Sequence, residues 1–463
     1  MIDQSLTVYS PYDLTELESL TYDTADDVEF SLARADELAA GSPLPAWERI
    51  EILEKAAELL KGRIDAYAMT IAQEGGKPLK DAKVEAIRAV SGIKNAIEVL
   101  QSEDGRTVPM GLNPASAQRL AFTTREAIGV VVAISAFNHP LNLIVHQVVP
   151  AIAVGCPIIV KPAATTPLSC VRFVELLYEA GLPEDWCRVL LLSNEDSEAL
   201  VTDPRVAFFS FIGSSGVGWY LKSKLAPGTR CALEHGGAAP VIVEPDADLN
   251  GVVPALVKGG YYHAGQVCVS VQRVLAHHSI MGELQKRLVD AIGALVTGDP
   301  TSEATDVGPL ILPRETDRVE EWVNEALSMG ATAVIGGNRI SDTCFEPTLL
   351  VGAPLEAKVS QQEIFGPVVS LTGYEDLAEA IRLANSLPVA FQASVFTQDI
   401  DRAMGAAKKL NASAVMINDH TAFRVDWMPF AGRKSSGLGI GGIPFTMEDM
   451  TQEKLIVIKS PAL

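Results

Sequence analysis

The stretch GVVVAISAFNHPLNLIVHQVVPAIAVGCPIIVK, residues 129–161, decides the fold. GVVVAIS and CPIIVK are short apolar runs without polar alternation, the pattern of strands buried on both faces. The segment between them is also apolar, but Asn138-His139-Pro140, Asn142, His146 and Pro150 interrupt it. It therefore reads as a buried strand and helix rather than a membrane span. Downstream, a helix over Ser169–Ala180, the runs RVLLL (Arg188–Leu192) and VAFFSFIG (Val206–Gly213), and a helix opening after Ser214 repeat the alternation. Apolar strands joined by helices predict a parallel α/β sheet covered on both faces.

A second such set begins at APVIVEP (Ala239–Pro245). It includes helices around Met281–Val296 and Asp317–Ser328, then ATAVIGG and further strands to Gln392. The pattern predicts two α/β domains meeting near Gly236-Gly237. Upstream, Trp47–Glu103 carries helical spacing divided by Gly75-Gly76 and Pro78, which predicts two long amphipathic helices. Arg106–Glu126, with Pro109, Gly111, Asn113 and Pro114 at its centre, reads as a projecting hairpin or a long surface loop. The final TQEKLIVIK alternates like an edge strand and is expected to pair with that hairpin in another subunit.

The 463 residues suit two or three domains at roughly 150 residues each. The net charge of −21 opposes nonspecific contact with nucleic acid or an anionic membrane. The six cysteines contain no CxxC and are too sparse for a disulfide scaffold, which suits a reducing cytoplasm. The amino terminus MIDQSLTVYS lacks the basic head and apolar run of an export signal. No cluster has metal-ligand spacing, and the adjacent His277-His278 read as solvent-facing strand residues.

Several segments combine chemistry with a bland alternative. Gly213-Ser214-Ser215-Gly216 follows a strand and opens a helix. It lacks GxGxxG, and it serves either as a phosphate cradle or as a tight helix start. Lys161, ending a strand, is a nucleotide-binding ammonium or a solvated terminus. Cys268 in YYHAGQVCVS is a buried small hydrophobe or a nucleophile. Glu234 in CALEHGG is a surface acid before a turn or a functional carboxylate, and Asn138 is a turn cap or an amide directed into a cleft.

Taken together, FNHP (Phe137–Pro140), KPAATTP (Lys161–Pro167), FIGSSGVG (Phe211–Gly218), LEHGG (Leu233–Gly237), GQVC (Gly265–Cys268), EIFGPV (Glu363–Val368) and MPFAGRKSSG (Met428–Gly437) resemble the aldehyde dehydrogenase superfamily over essentially the whole chain. The resemblance implies a Rossmann-like cofactor domain (1–105 and 128–236) and an α/β catalytic domain (237–417). It further implies a return segment (418–446) and a β oligomerisation arm (106–127 and 447–463) that builds a homodimer or homotetramer. It implies NAD or NADP as cofactor, with Lys161, Gly213, Ser214, Glu363 and Phe365 holding it.

By the same resemblance, Cys268 is the nucleophile that forms a thiohemiacetal and then a thioester, Asn138 an oxyanion donor, and Glu234 the base that activates the hydrolytic water. That base disfavours a CoA-acylating enzyme, and the joint presence of these residues disfavours a binding protein without turnover. Ala164 stands where many NAD-linked relatives carry a ribose-binding glutamate, so either dinucleotide is accommodated. The segments around FNHP, CVSVQRV and HTAFRVDWMPFAGRK resemble the lactaldehyde and phosphonoacetaldehyde branch. There Arg88, His139 and Arg424 fall at positions that hold a substrate anion. Residue 267 is valine where the phosphonoacetaldehyde pattern has arginine. The expected substrate is a short aldehyde, hydroxylated or anionic, with phosphonoacetaldehyde or another strongly anionic aldehyde as the alternative.

Overall fold

The computed structural model describes residues 5–102 and 105–463. The first four residues of the amino-terminal reading, and the Glu103 end of the helical run, lie outside them. A six-stranded sheet has the spatial order Gly437–Leu438, Arg230–Glu234, Val206–Ile212, Val130–Ile134, Ile158–Lys161, Cys187–Val189. All neighbours are parallel except the Gly437–Leu438 edge, which runs antiparallel to Leu233-Glu234. Alternate residues of the central strand enter different cores. Val131 and Ala133 pack under the helices Ala46–Gly62, Leu79–Ser102, Asn142–Val154 and Leu168–Ala180. Val130, Val132 and Ile134 pack under Ala25–Ala40, Asn194–Thr202 and Ser215–Lys222. Burial on both faces explains why the strand carries no polar alternation.

The seven-stranded second sheet has the order Thr332–Ile335, Thr348–Val351, Val368–Tyr374, Val271–His277, Ala239–Val243, Gln392–Phe396, Ala414–Ile417. Only its first pair is antiparallel. Helices again cover both faces, Leu249–Tyr261, His278–Gly293 and Pro313–Ser328 on one, Leu377–Ala384 and Ile400–Lys409 on the other. The chain leaves the first sheet at Glu234 and enters the second at Ala239, passing through Gly236-Gly237. No helix among the described residues is long and apolar enough to cross a membrane.

Two expectations require correction. The helical run over residues 47–103 is three helices, because the chain also breaks at Arg63 (φ −122°, ψ 18°), between Ala46–Gly62 and Ile64–Gly75. Gly76, at φ 70°, and Pro78 then separate Leu79–Ser102. The tail strand Thr451–Lys459, expected to meet the hairpin of another subunit, pairs with Arg119–Ala127 of its own chain, in unbroken antiparallel register from Thr451↔Ala127 to Lys459↔Arg119. The cause is local geometry: Ile128 N–H donates to the Met450 carbonyl at 3.0 Å, so the tail starts level with the end of its partner strand. The third strand of that sheet is the short Thr107–Val108.

Candidate active site

A cavity of about 790 Å³ lies at the carboxyl ends of the first sheet's parallel strands, where α/β folds bind ligands, and reaches the loops of the second sheet. Asn138, Lys161, Gly213-Ser214 and Glu234 end or follow four of those strands. Cys268, Glu363, Phe365, Arg88, His139 and Arg424 line the same cavity. The residues expected to serve catalysis, cofactor and substrate thus line one cleft.

The loop carrying Cys268 is tightly held. His263, Ala264 and Gly265 take successive positive φ values of 49°, 54° and 70°, and a Cβ at Gly265 would fall on the Gly366 carbonyl oxygen. Such conformations cost of order 1–3 kcal/mol at a non-glycine residue and persist where the surroundings impose them. Gln266 supplies that imposition: its amide donates to the carbonyls of Pro309 (3.1 Å) and His263 (3.3 Å) and accepts from Ile311 N–H (2.9 Å). Its own carbonyl accepts from the Asn138 amide at 2.9 Å. The helix that follows Asn138 is anchored by Glu85, which accepts from Leu141 and Asn142 N–H at 3.0 Å each and also pairs with the fully buried Lys77.

Burial pushes the Cys268 thiol up to about 12; Arg424 opposes this, while Glu234 and Glu363 add to it. Burial also raises the Glu234 carboxyl, and Arg424 again opposes. Glu234 has space because Gly441 lacks a side chain; a Cβ there would overlap its carboxylate. In the same cleft, Glu363 is pushed up to about 8 by burial, against the charge of Arg318 and the Gly237 N–H. A Cβ at Gly236 would overlap the Glu363 carboxylate. Phe365, at φ 47°, meets Phe137 edge to face at 5.7 Å. Burial lowers Lys161, and Ser214 stands as N-cap of Ser215–Lys222 with its hydroxyl uncommitted to the helix.

The three basic residues Arg88, His139 and Arg424 of this cavity differ in how their charge is used. Arg88 forks onto Asp426, Nη2 at 2.7 Å and Nε at 3.3 Å, so its charge is met within the protein. His139 Nε2 lies 3.1 Å from the Tyr262 hydroxyl, and burial together with Lys77 keeps the ring neutral. Arg424 is half-buried with its Nε enclosed and without a hydrogen-bond partner among the described residues, stacks on the Phe430 ring at 3.6 Å, and makes no ion pair among the described residues.

The sequence model of the aldehyde dehydrogenase family matches residues 2–456. The chain belongs to the aldehyde dehydrogenase family. It is 37% identical over 456 residues to a 3-sulfolactaldehyde dehydrogenase of Priestia aryabhattai, covering 98% of this chain and 95% of the relative. It is 33% identical over 464 residues to a lactaldehyde dehydrogenase of Methanococcus vannielii, covering 99% and 98%. Among solved structures, the glyceraldehyde-3-phosphate dehydrogenase GapN of Methanocaldococcus jannaschii, complexed with NADP, superposes with a TM-score of 0.94 at 34% identity over 99% of this chain and 100% of that one. This protein is an NAD(P)-dependent aldehyde dehydrogenase with the Rossmann-like and catalytic α/β architecture of the family.

The aldehyde dehydrogenase cleft fits such a cofactor on its own terms. Glu363 Oε1 is buried without a hydrogen-bond partner among the described residues, which a ribose hydroxyl would satisfy. The segment KPAATTP itself carries no carboxylate, and burial is the influence that shifts Lys161.

Reading the sequence alone missed Asp426, His146, Gln266, Tyr262 and Phe430. His146 did leave a signal, being a polar residue inside the apolar run LNLIVHQVVP. Asp426 and Phe430 lie within the segment that carried Arg424, but their partners are set by tertiary contacts.

Proposed function

We propose that this aldehyde dehydrogenase oxidises a short, hydroxylated, anionic aldehyde to its carboxylic acid, with Arg424 receiving the anion. The observation that carries this reading is a half-buried guanidinium whose enclosed Nε has no hydrogen-bond partner and which has no carboxylate ion-paired to it among the described residues, in the cavity that holds Cys268. An enclosed guanidinium N–H without a partner is costly unless a ligand meets it, and a guanidinium matches the geometry of sulfonate or carboxylate. The similarity to a 3-sulfolactaldehyde dehydrogenase supports the same substrate class. Val267, apolar and buried beside the thiol, supports sulfonate or carboxylate over phosphonate, whose larger charge calls for a further cation.

Cys268 attacks the aldehyde carbon as its thiolate, and the Asn138 amide with the Cys268 N–H stabilises the developing oxyanion. Bound NAD(P) supplies the hydride acceptor. Lys161, Gly213 and Ser214 hold its adenosine and phosphate portion; Glu363 and Phe365 hold its nicotinamide end. Glu234 takes a proton from the water that cleaves the Cys268 thioester, and burial gives its carboxylate the basicity this requires.

Residues 1–105 with 128–236 form the cofactor domain and 237–417 the catalytic domain, the first also lending Asn138 and Glu234 to the chemistry and the second lending Glu363 and Phe365 to the cofactor. The exposed Leu455, Val457 and Ile458 of the tail strand serve a homodimer or homotetramer. Six free cysteines suit a cytoplasmic location.

The test is kcat/KM for 3-sulfolactaldehyde, lactaldehyde, succinate semialdehyde and phosphonoacetaldehyde with each dinucleotide. A preference of at least about tenfold for 3-sulfolactaldehyde over lactaldehyde supports the reading, since one charge-assisted contact is worth about that much. Equal or faster turnover of lactaldehyde contradicts it.

A further inference from the structure

Asp426 is 2% exposed, and its carboxylate is a hub. It accepts from Nε and Nη2 along one edge of Arg88, from Asn142 Nδ2 at 3.1 Å and from His146 Nε2 at 2.8 Å. Burial works against its charge, but the His146 hydrogen bond and the charge of Arg88 outweigh burial and hold Asp426 well below the usual carboxylate range. An ionised carboxylate only accepts, so His146 Nε2 must carry the hydrogen. Burial and the nearby Arg424 keep the imidazole neutral, at about 4. A neutral ring protonated at Nε2 presents a lone pair at Nδ1. Arg424 Nη2 lies 3.4 Å from that atom, and a guanidinium only donates. The direction of the chain is therefore determined: Arg424 donates to His146, which donates to Asp426.

This arrangement treats the two arginines differently. Arg88 meets Asp426 directly and has its charge cancelled. Arg424 meets a neutral acceptor, which fixes one edge of the guanidinium without cancelling anything. The Phe430 ring, 3.6 Å away, fixes its plane. A carboxylate in place of His146 would consume the charge. An apolar residue would leave a long flexible side chain free to swing to Glu234, the carboxylate whose charge most favours its own. Either would cost the site a cation, and the second would also occupy the base.

We propose that His146, itself fixed by Asp426, is the positioning residue that aims Arg424 at the substrate anion while leaving its charge free, and thereby sets the preference for anionic over neutral aldehydes. This rests on the reading of Arg424 as the partner of that anion.

The two nitrogens of His146 can be separated by substitution. His146→Asn places an acceptor where Nδ1 was and gives up the bond to Asp426. His146→Gln places a donor where Nε2 was and gives up the acceptor toward Arg424. The readout is the ratio of kcat/KM for 3-sulfolactaldehyde to that for lactaldehyde, which differ by the sulfonate alone. Titration of Cys268 with a thiol reagent counts the folded sites in each preparation.

His146→Gln is expected to lower the ratio about tenfold, through a higher KM for 3-sulfolactaldehyde with its kcat kept within about threefold. His146→Asn is expected to retain most of the ratio. A merely structural role would impair both substrates together and leave the ratio intact. That result in His146→Gln, alongside a lowered ratio in Arg424→Gln, overturns the proposal while sparing the function of Arg424. An unchanged ratio in Arg424→Gln overturns the reading of Arg424 and the proposal with it.

Discussion

The Asn138 side-chain amide donates to the Gln266 carbonyl at 2.9 Å, two residues ahead of Cys268. One of its two N–H groups is thus committed to the loop that carries the thiol, which sets the direction of the other. Asn138→Ala is expected to lower kcat by about 10²–10³, the usual consequence of losing one oxyanion donor. Alkylation of Cys268 by iodoacetamide should proceed at near wild-type rate, because the thiol itself is retained. Loss of alkylation together with turnover would mean that Asn138 chiefly holds the loop.

A thiol pushed up to about 12 is almost wholly protonated at neutral pH, and each pH unit below that value lowers the thiolate fraction tenfold. The iodoacetamide rate of the cofactor-free protein should therefore climb with slope near one on a logarithmic plot from about pH 7 to 10, without the plateau expected of an ordinary cysteine. Arg424 favours the thiolate, so Arg424→Met should slow the reaction at every pH in that range. A plateau near pH 8 would contradict a thiol raised in this way.

Gly236 and Glu363 share a space that admits no Cβ. Gly236→Ala should displace the Glu363 carboxylate and raise the KM for the dinucleotide by about tenfold. Thermal unfolding should move little, since the atoms that yield are the end of a flexible side chain. Unchanged dinucleotide KM would remove Glu363 from the ribose.

Lys161, Ala163, Ala164 and Thr165 line the cavity, and the segment KPAATTP carries no carboxylate to repel a 2′-phosphate. Ala164→Glu should lower kcat/KM for NADP by at least about tenfold relative to NAD, through repulsion and competition for Lys161. Measuring both cofactors at one aldehyde concentration gives the ratio directly.

What the sequence disclosed follows from how local each feature is. Strands such as Val130–Ile134 are legible because burial on both faces writes itself into every residue. Cys268, Glu234, Asn138 and Glu363 are legible because each sits in a short run whose order along the chain resembles a known pattern. The break at Arg63 is not, because it needs no proline and Gly62 alone is a weak signal. Nor is the tail's partner, since an alternating edge strand does not say which edge it will meet. The link of Asp426 to His146 spans 280 positions, and neither segment carries a mark of the other.

The most direct measurement is rapid-quench analysis of Glu234→Gln with 3-sulfolactaldehyde and the preferred dinucleotide. The account predicts a burst of reduced cofactor close to one equivalent per Cys268, followed by a steady rate at least about 100-fold below wild type, with the acyl mass found on the Cys268 peptide. Full turnover without an accumulated thioester would contradict the role of Glu234 and the hydrolytic half of the reaction.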